Sequence, residues 1–83
     1  MTDNEILDTL TVIFRQVFEN NNISATPGLT ADDFQEWDSV GHMGLVLAIE
    51  KKYNFQFDMG EIGRVNSVDL LLQVIRDKLS KQI

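Results

Sequence analysis

The chain has 83 residues, no cysteine, and thirteen acidic against seven basic side chains, giving a net charge of −6 at neutral pH. One small domain over residues 1–83 is expected, without disulfides or thiolate metal ligands and with little room for a deep cleft beside its core. The acidity argues against a phosphate-binding face for nucleic acid, no apolar run approaches the roughly 20 residues of a membrane span, and the acidic start lacks the basic region of a secretory signal, so a cytoplasmic monomer is the expectation.

The first periodic segment runs from about Asn4 to Glu19. Ile6, Leu7, Leu10, Ile13, Phe14, Val17 and Phe18 recur at three- and four-residue spacing and predict a helix with one wide apolar face. Thr2 or Asp3 can cap its start, and Asn20-Asn21-Asn22 marks its stop. A long connection follows from Asn21 to Asp38, holding the sole proline, Pro27, with Leu29 and Phe34 expected to pin it to the core. Connections above about 12–15 residues tend to be functional. Thr30 and Asp33 have the spacing of a capping box, which predicts a short helical turn near Thr30–Phe34.

A second helix is predicted from Ser39 to Tyr53, capped by Asp38 or Ser39, with Val40, Met43, Val46, Leu47 and Ile49 on its buried side. Tyr53 to Phe57 alternates like a strand but has no partner, and reads as an extended linker with inward aromatics. Asp58 to Val65 predicts a short helix. The last helix opens at Asn66 or Ser67 and runs to about Ser80 on Val68, Leu71, Leu72, Ile75 and Leu79, with Lys78 and Lys81 at the negative end of its dipole. The expected fold is all-α: a small up-and-down bundle of three main helices plus one short helix.

The sharpest local feature is Glu36-Trp37-Asp38-Ser39-Val40, which puts a serine hydroxyl where the long loop turns into a helix. The first N–H groups of that helix lack intrahelical partners and carry partial positive charge, so a phosphate ester on Ser39 is well placed. Taken alone, Asp38-Ser39 is a helix cap and nothing more. Trp37 reads as an apolar anchor for the loop end.

Asp38-Ser39-Val40, followed by a helix with Met43, Leu45, Val46, Ala48, Ile49 and Glu50 and then by Tyr53 and Phe55-Gln56-Phe57, resembles the acyl carrier protein family. The family pattern is Asp-Ser-Leu, an apolar helix ending in Glu and an aromatic, then an extended apolar linker. The likeness covers nearly the whole chain. Glu-Trp-Asp-Ser is similar to a form found in stand-alone bacterial carriers outside core fatty-acid synthesis. The resemblance implies that a phosphopantetheinyl transferase attaches 4′-phosphopantetheine from coenzyme A to Ser39. Asp38 matches the acidic residue associated with magnesium during that loading. The terminal thiol of the group then holds an acyl intermediate as a thioester and presents it to acyl-loading and acyl-transfer enzymes, the protein itself catalysing nothing. Within the class the alternative is an aminoacyl or peptidyl carrier. Outside it, the alternative is a structural helical interaction domain with no prosthetic group.

The sequence also departs from the family. Val40 replaces the usual leucine, Gly41 and Gly44 stand where acids are common, His42 lies between them, and Lys51 and Lys52 follow Glu50. These departures point to a specialised pathway. Residues 1–38 hold eight acids and one base, Arg15, so docking is expected to use Asp32, Asp33 and Glu36 with Val40, His42, Met43 and a glycine-bared surface around His42. Ser39, His42 and Asp38 nominally supply a nucleophile, a base and an orienting acid, but a hydrolase also needs an oxyanion hole and a pocket; a surface histidine near the docking site is the expectation. Met43, Met59 and Ile62 are candidates to line an apolar interior for short acyl chains, against ordinary core packing. The Asp32, Asp33 and Glu36 cluster lacks the spacing of a calcium loop, and no metal site is expected.

Overall fold

The structure, a computed structural model, describes residues 2–81. The described residues form four α-helices, α1 (Asp3–Val17), α2 (Ser39–Tyr53), α3 (Met59–Arg64) and α4 (Val68–Ser80), with a 3-10 turn at Ala31–Asp33 in the long connection. Among the described residues there is no strand, only one isolated antiparallel bridge between Thr30 and Ser67. None of these helices is long and apolar enough to cross a membrane.

Local chemistry sets the helix ends. Thr2 and Glu5 form a capping box: the Thr2 N–H donates to Glu5 Oε1 at 2.9 Å and the Glu5 N–H donates to Thr2 Oγ1 at 3.2 Å. The Thr2 backbone bond, aided by the Thr2 hydroxyl, holds the Glu5 carboxyl below its ordinary value. At the other end of α1 the expected asparagine stop is displaced by one position. Glu19 takes the left-handed conformation, φ 52°, while the Asn20 N–H donates to the Arg15 carbonyl at 3.1 Å. Asn54 does the same for α2 at φ 57°, a conformation asparagine tolerates well. Asp58 and Glu61 form a second capping box on α3, and Ser67 caps α4.

The helices share one core. Ile6, Leu10 and Phe14 of α1, Leu45 and Ile49 of α2, Val65, and Leu71 and Ile75 of α4 are at most 1% exposed. Burying a side chain of this size contributes roughly 1.5–3 kcal/mol, which is why these stripes decide the packing. Val17 lies against Gly44, and Asp3 pairs with Arg76 at 2.9 Å, so α1 runs antiparallel to both α2 and α4. The long connection is stitched down along its first half. Arg15 Nε–H donates to the Ile23 carbonyl (2.8 Å), the Ala25 N–H donates to Thr11 Oγ1 (2.9 Å), and the Val68 N–H donates to the Leu29 carbonyl (2.9 Å).

One expectation fails on α2. Val40, Met43 and Leu47 do not face the core; they are 82%, 44% and 59% exposed, and Leu45 is buried in their place. The helix carries two apolar stripes, and its glycines choose between them. A Cβ on Gly41 would overlap the Glu36 carbonyl oxygen and stand 2.8 Å from the Phe18 ring, and one on Gly44 would touch Val17 at 3.5 Å. The end of α1 and the loop before α2 therefore press on the glycine side. That rotation turns Leu45, Val46, Ile49 and Tyr53 inward and leaves Val40, Met43 and Leu47 in solvent.

The short α3 is held from α4 by Lys78, whose Nζ lies 2.8 Å from Glu61 and 5.8 Å from the centre of the Phe55 ring. The linker before α3 is held by Glu50, whose carboxylate accepts the Phe57 N–H at 2.8 Å. Burial pushes the Tyr53 hydroxyl up from its ordinary value of 10.0, the nearby Thr9 opposing the shift, and that hydroxyl has no well-formed hydrogen bond among the described residues.

Candidate modification site at the start of α2

Ser39 is the first residue of α2, and three local devices put it there. Asp38 caps the helix: its Oδ1 accepts the Gly41 N–H at 2.8 Å, and its carbonyl accepts the His42 N–H at 2.7 Å. Trp37, 5% exposed, plugs the loop end into an aromatic cluster, meeting Phe14 edge-on at 5.2 Å and lying 5.9 Å from Phe34. Thr30 and Asp33 close the 3-10 turn ahead of it, the Thr30 N–H donating to Asp33 Oδ2 at 2.7 Å. The anchor and the turn expected from the sequence are thus both present.

Ser39 itself is exposed, and its hydroxyl makes no hydrogen bond among the described residues. The Gly41 N–H is taken by Asp38, while the Ser39 and Val40 N–H groups precede the first hydrogen-bonded turn. Backbone donors of that kind at the positive end of a 15-residue helix suit an anionic substituent. The donor set therefore fits a phosphate ester on Ser39 Oγ. Beside it lies a depression of about 330 Å³ lined by Ala31, Trp37, Asp38, Ser39, His42, Ile62, Gly63 and Asn66. A wider groove of about 550 Å³ lies between α1 and α2, against Val12, Ala48 and Lys51. Ala48 and Lys51 are nine and twelve residues along α2 from Ser39, roughly 14–18 Å at the helical rise, so that groove is separate from the serine.

The docking candidates are differently placed from one another. Asp32 and Glu36 are exposed, and so are Val40 and Met43. Asp33 is exposed but its carboxylate is committed to the Thr30 cap. His42 is not the free surface histidine expected. It is half-buried, with its Nδ1 accepting the Trp37 indole N–H at 2.8 Å and its Nε2 at 2.7 Å from the Ile62 carbonyl oxygen. With both ring nitrogens engaged, it has none to spare as a base for Ser39. Nor do the glycines bare a docking surface: Gly41 lies under the loop, and Gly44 is turned to α1. Met43 and Met59, 44% and 89% exposed, do not line an interior, whereas Ile62 packs partly buried against the core. The sequence reading missed Ala31 and Asn66 beside the serine and the Ile62 carbonyl behind it. The Trp37 and His42 pairing had a local signal, two hydrogen-bonding rings five positions apart across a cap; the Ile62 carbonyl had none.

No protein-family model matches the chain, and no curated protein matches it. Among solved structures, the solution NMR structure of a holo acyl carrier protein from Geobacter metallireducens is similar to it at 38% identity, with a TM-score of 0.85, over 92% of this chain and 87% of that chain. The chain belongs to the acyl carrier protein family. It is accordingly a carrier and not an enzyme, and its helical bundle is that of an acyl carrier protein.

Proposed function

We propose that this carrier, acting as a single domain over residues 1–83, bears 4′-phosphopantetheine on Ser39 Oγ and presents acyl intermediates to partner enzymes of a specialised pathway outside core fatty-acid synthesis. The observation that carries the reading is the geometry at Ser39. An exposed serine hydroxyl stands on the first residue of a capped helix, with backbone donors open to a phosphate, in a chain 38% identical to a holo acyl carrier protein.

The residues have separable roles. Ser39 Oγ is the acceptor in transfer from coenzyme A by a phosphopantetheinyl transferase. Asp38 holds the helix start through Oδ1, and its exposed carboxylate would face the magnesium ion of the loading reaction. The Ser39 and Val40 N–H groups hold the phosphate. When bound, the group supplies the terminal thiol that this cysteine-free chain lacks. The tether raises the local concentration of the cargo at each partner, as linked binding modules do.

Docking combines two kinds of surface. The acids Asp32 and Glu36 precede the serine, while the outer face of α2 offers Val40, Met43 and Leu47, with no charge on the helix before Glu50. Partners that load and transfer the acyl group therefore meet a largely apolar helix bordered by carboxylates. Asp33 and His42 contribute by holding the local structure. The absence of helix acids ahead of Glu50 supports the specialised pathway. Cytoplasmic location and a monomeric state belong to the same proposal. Incubating the protein with a fluorescently tagged coenzyme A, magnesium and a broad-specificity transferase tests it. Label is expected on the wild type and not on Ser39→Ala. Equal labelling of both, or none with a transferase that loads another carrier, overturns the assignment.

A further inference from the structure

We infer that His42 is a positioning residue for Ser39: a latch that ties α3 to the first turns of α2 and so holds the far wall of the depression beside the serine. The second half of this statement rests on Ser39 being the attachment site; the latch itself does not.

The bonding partners fix the state of the ring. An indole N–H only donates and a backbone carbonyl only accepts. His42 therefore receives the Trp37 N–H on Nδ1 and donates Nε2–H to the Ile62 oxygen, as a neutral ring protonated at Nε2. Each bond answers a need elsewhere. Trp37 is buried, and its N–H has His42 as partner. The Ile62 carbonyl lies near the end of α3, where carbonyls lose their intrahelical donors. The N–H that would continue the helix onto it, that of Asn66, turns instead to the Arg64 carbonyl at 2.9 Å. His42 supplies the missing donor from another helix.

At six residues, α3 is far too short to hold itself. It is fixed by the fully buried Val65 that ends it, by Ile62 packing, by the Glu61 to Lys78 pair and by this one hydrogen bond. The bond spans the depression. Trp37, Asp38, Ser39 and His42 line one side, and Ile62 and Gly63 line the other. His42 is also three residues from Ser39, hence on a neighbouring part of the same helix face. Releasing the latch leaves α2 and its cap intact but frees α3, so the transferase and the attached arm meet an unformed wall.

Two isosteric variants separate the two bonds. In His42→Asn the amide oxygen stands near the place of Nδ1 and keeps the indole bond, while the side chain is too short for Ile62. In His42→Gln the amide N–H₂ stands near Nε2 and keeps the Ile62 bond, while the indole loses its acceptor. Amide hydrogen exchange on the unmodified proteins reads the latch. Exchange of the Ile62 and Val65 N–H groups should quicken about tenfold in His42→Asn, the worth of one net hydrogen bond. In His42→Gln it should stay within about threefold of wild type on the same scale. The Trp37 indole N–H should show the reverse order. The Leu71 amide of α4 reports global stability, against which the α3 and indole rates of each variant are read. The transferase then reads the coupling to Ser39: KM for the carrier should rise about tenfold in His42→Asn, with kcat held and with recovery in His42→Gln. Equal α3 exchange in wild type and His42→Asn overturns the latch. Altered exchange with unchanged transferase kinetics overturns the positioning role. If no protein, wild type included, is modified, the Ser39 assignment fails and the exchange data still judge the latch.

Discussion

Replacing Gly41 by alanine sets two known effects against each other. Alanine in place of a helical glycine stabilises by up to about 1 kcal/mol, less in the first turn, where Gly41 lies. Against this, the new Cβ would overlap the Glu36 carbonyl oxygen, stand 2.8 Å from a Phe18 ring carbon and 3.3 Å from the Glu36 carbonyl carbon. The first obstacle is backbone. It cannot swing aside as a side chain would without dragging the segment that plants Trp37 and Asp38. Overpacking of this kind costs typically 1–3 kcal/mol and occasionally more, and a carbonyl contact belongs at the upper end. The net expectation is destabilisation by about 2 kcal/mol, or a fall in Tm on the order of 10 °C for a domain this size. Gly44→Ala is the internal control. Its Cβ meets only a Val17 methyl at 3.5 Å, an ordinary contact, so the propensity gain survives. It should raise Tm by up to about 4–8 °C. Thermal and urea unfolding followed by Trp37 fluorescence measure both variants. Gly41→Ala as stable as wild type would show that the loop is not pressed on α2, and with it the explanation of why Val40, Met43 and Leu47 face outward would fall.

Other expectations follow from single contacts. Glu19 holds a left-handed conformation that costs a non-glycine residue roughly 1 kcal/mol, so Glu19→Gly should stabilise by about that much in urea unfolding. Glu50→Ala removes the carboxylate that accepts the Phe57 N–H and should destabilise by roughly 1–2 kcal/mol, with faster exchange at the Phe57 amide. The Glu5 carboxyl lies below its ordinary value of 4.5 in the fold, so its contribution is present above that pH and is lost as pH falls through the lowered value. The first turn of α1 should fray there, seen at the Glu5 amide, and not in Glu5→Gln. Tyr53 is shifted the other way: its contribution is present below 10.0 and is lost as pH rises through the raised value, so alkaline destabilisation should be weaker in Tyr53→Phe. Reversing Asp32 and Glu36 to lysine should weaken binding to a partner enzyme with little change in Tm, because neither carboxylate has a structural bond among the described residues. Unchanged affinity would remove those acids from the docking surface.

How far the sequence carries depends on whether the deciding contact is local. Helices α1 and α4 were legible because each has a single wide apolar stripe and a side-chain cap within a turn of its start. The 3-10 turn was legible because Thr30 and Asp33 satisfy each other three residues apart. Ser39 at the start of α2 followed from Asp38 beside it. The rotation of α2 was not legible. Its apolar residues nearly encircle the helix, and the choice of buried stripe is made by Phe18 and the Glu36 carbonyl pressing on Gly41. The seating of His42 is hidden for the same reason: the Ile62 carbonyl comes from another helix, and nothing near His42 in the chain announces it. Glu19 was missed because glutamate is not a residue that favours the left-handed region; the geometry of the α1 end imposes it.

The claim that Ser39 is the attachment point is tested most directly by intact mass. Wild type and Ser39→Ala are compared before and after incubation with coenzyme A, magnesium and a broad-specificity phosphopantetheinyl transferase, and the modified peptide is mapped. The account predicts one added phosphopantetheine on the wild type, located on Ser39, and none on the variant. An unchanged wild-type mass under conditions that load another carrier, or the same gain on Ser39→Ala, would contradict it.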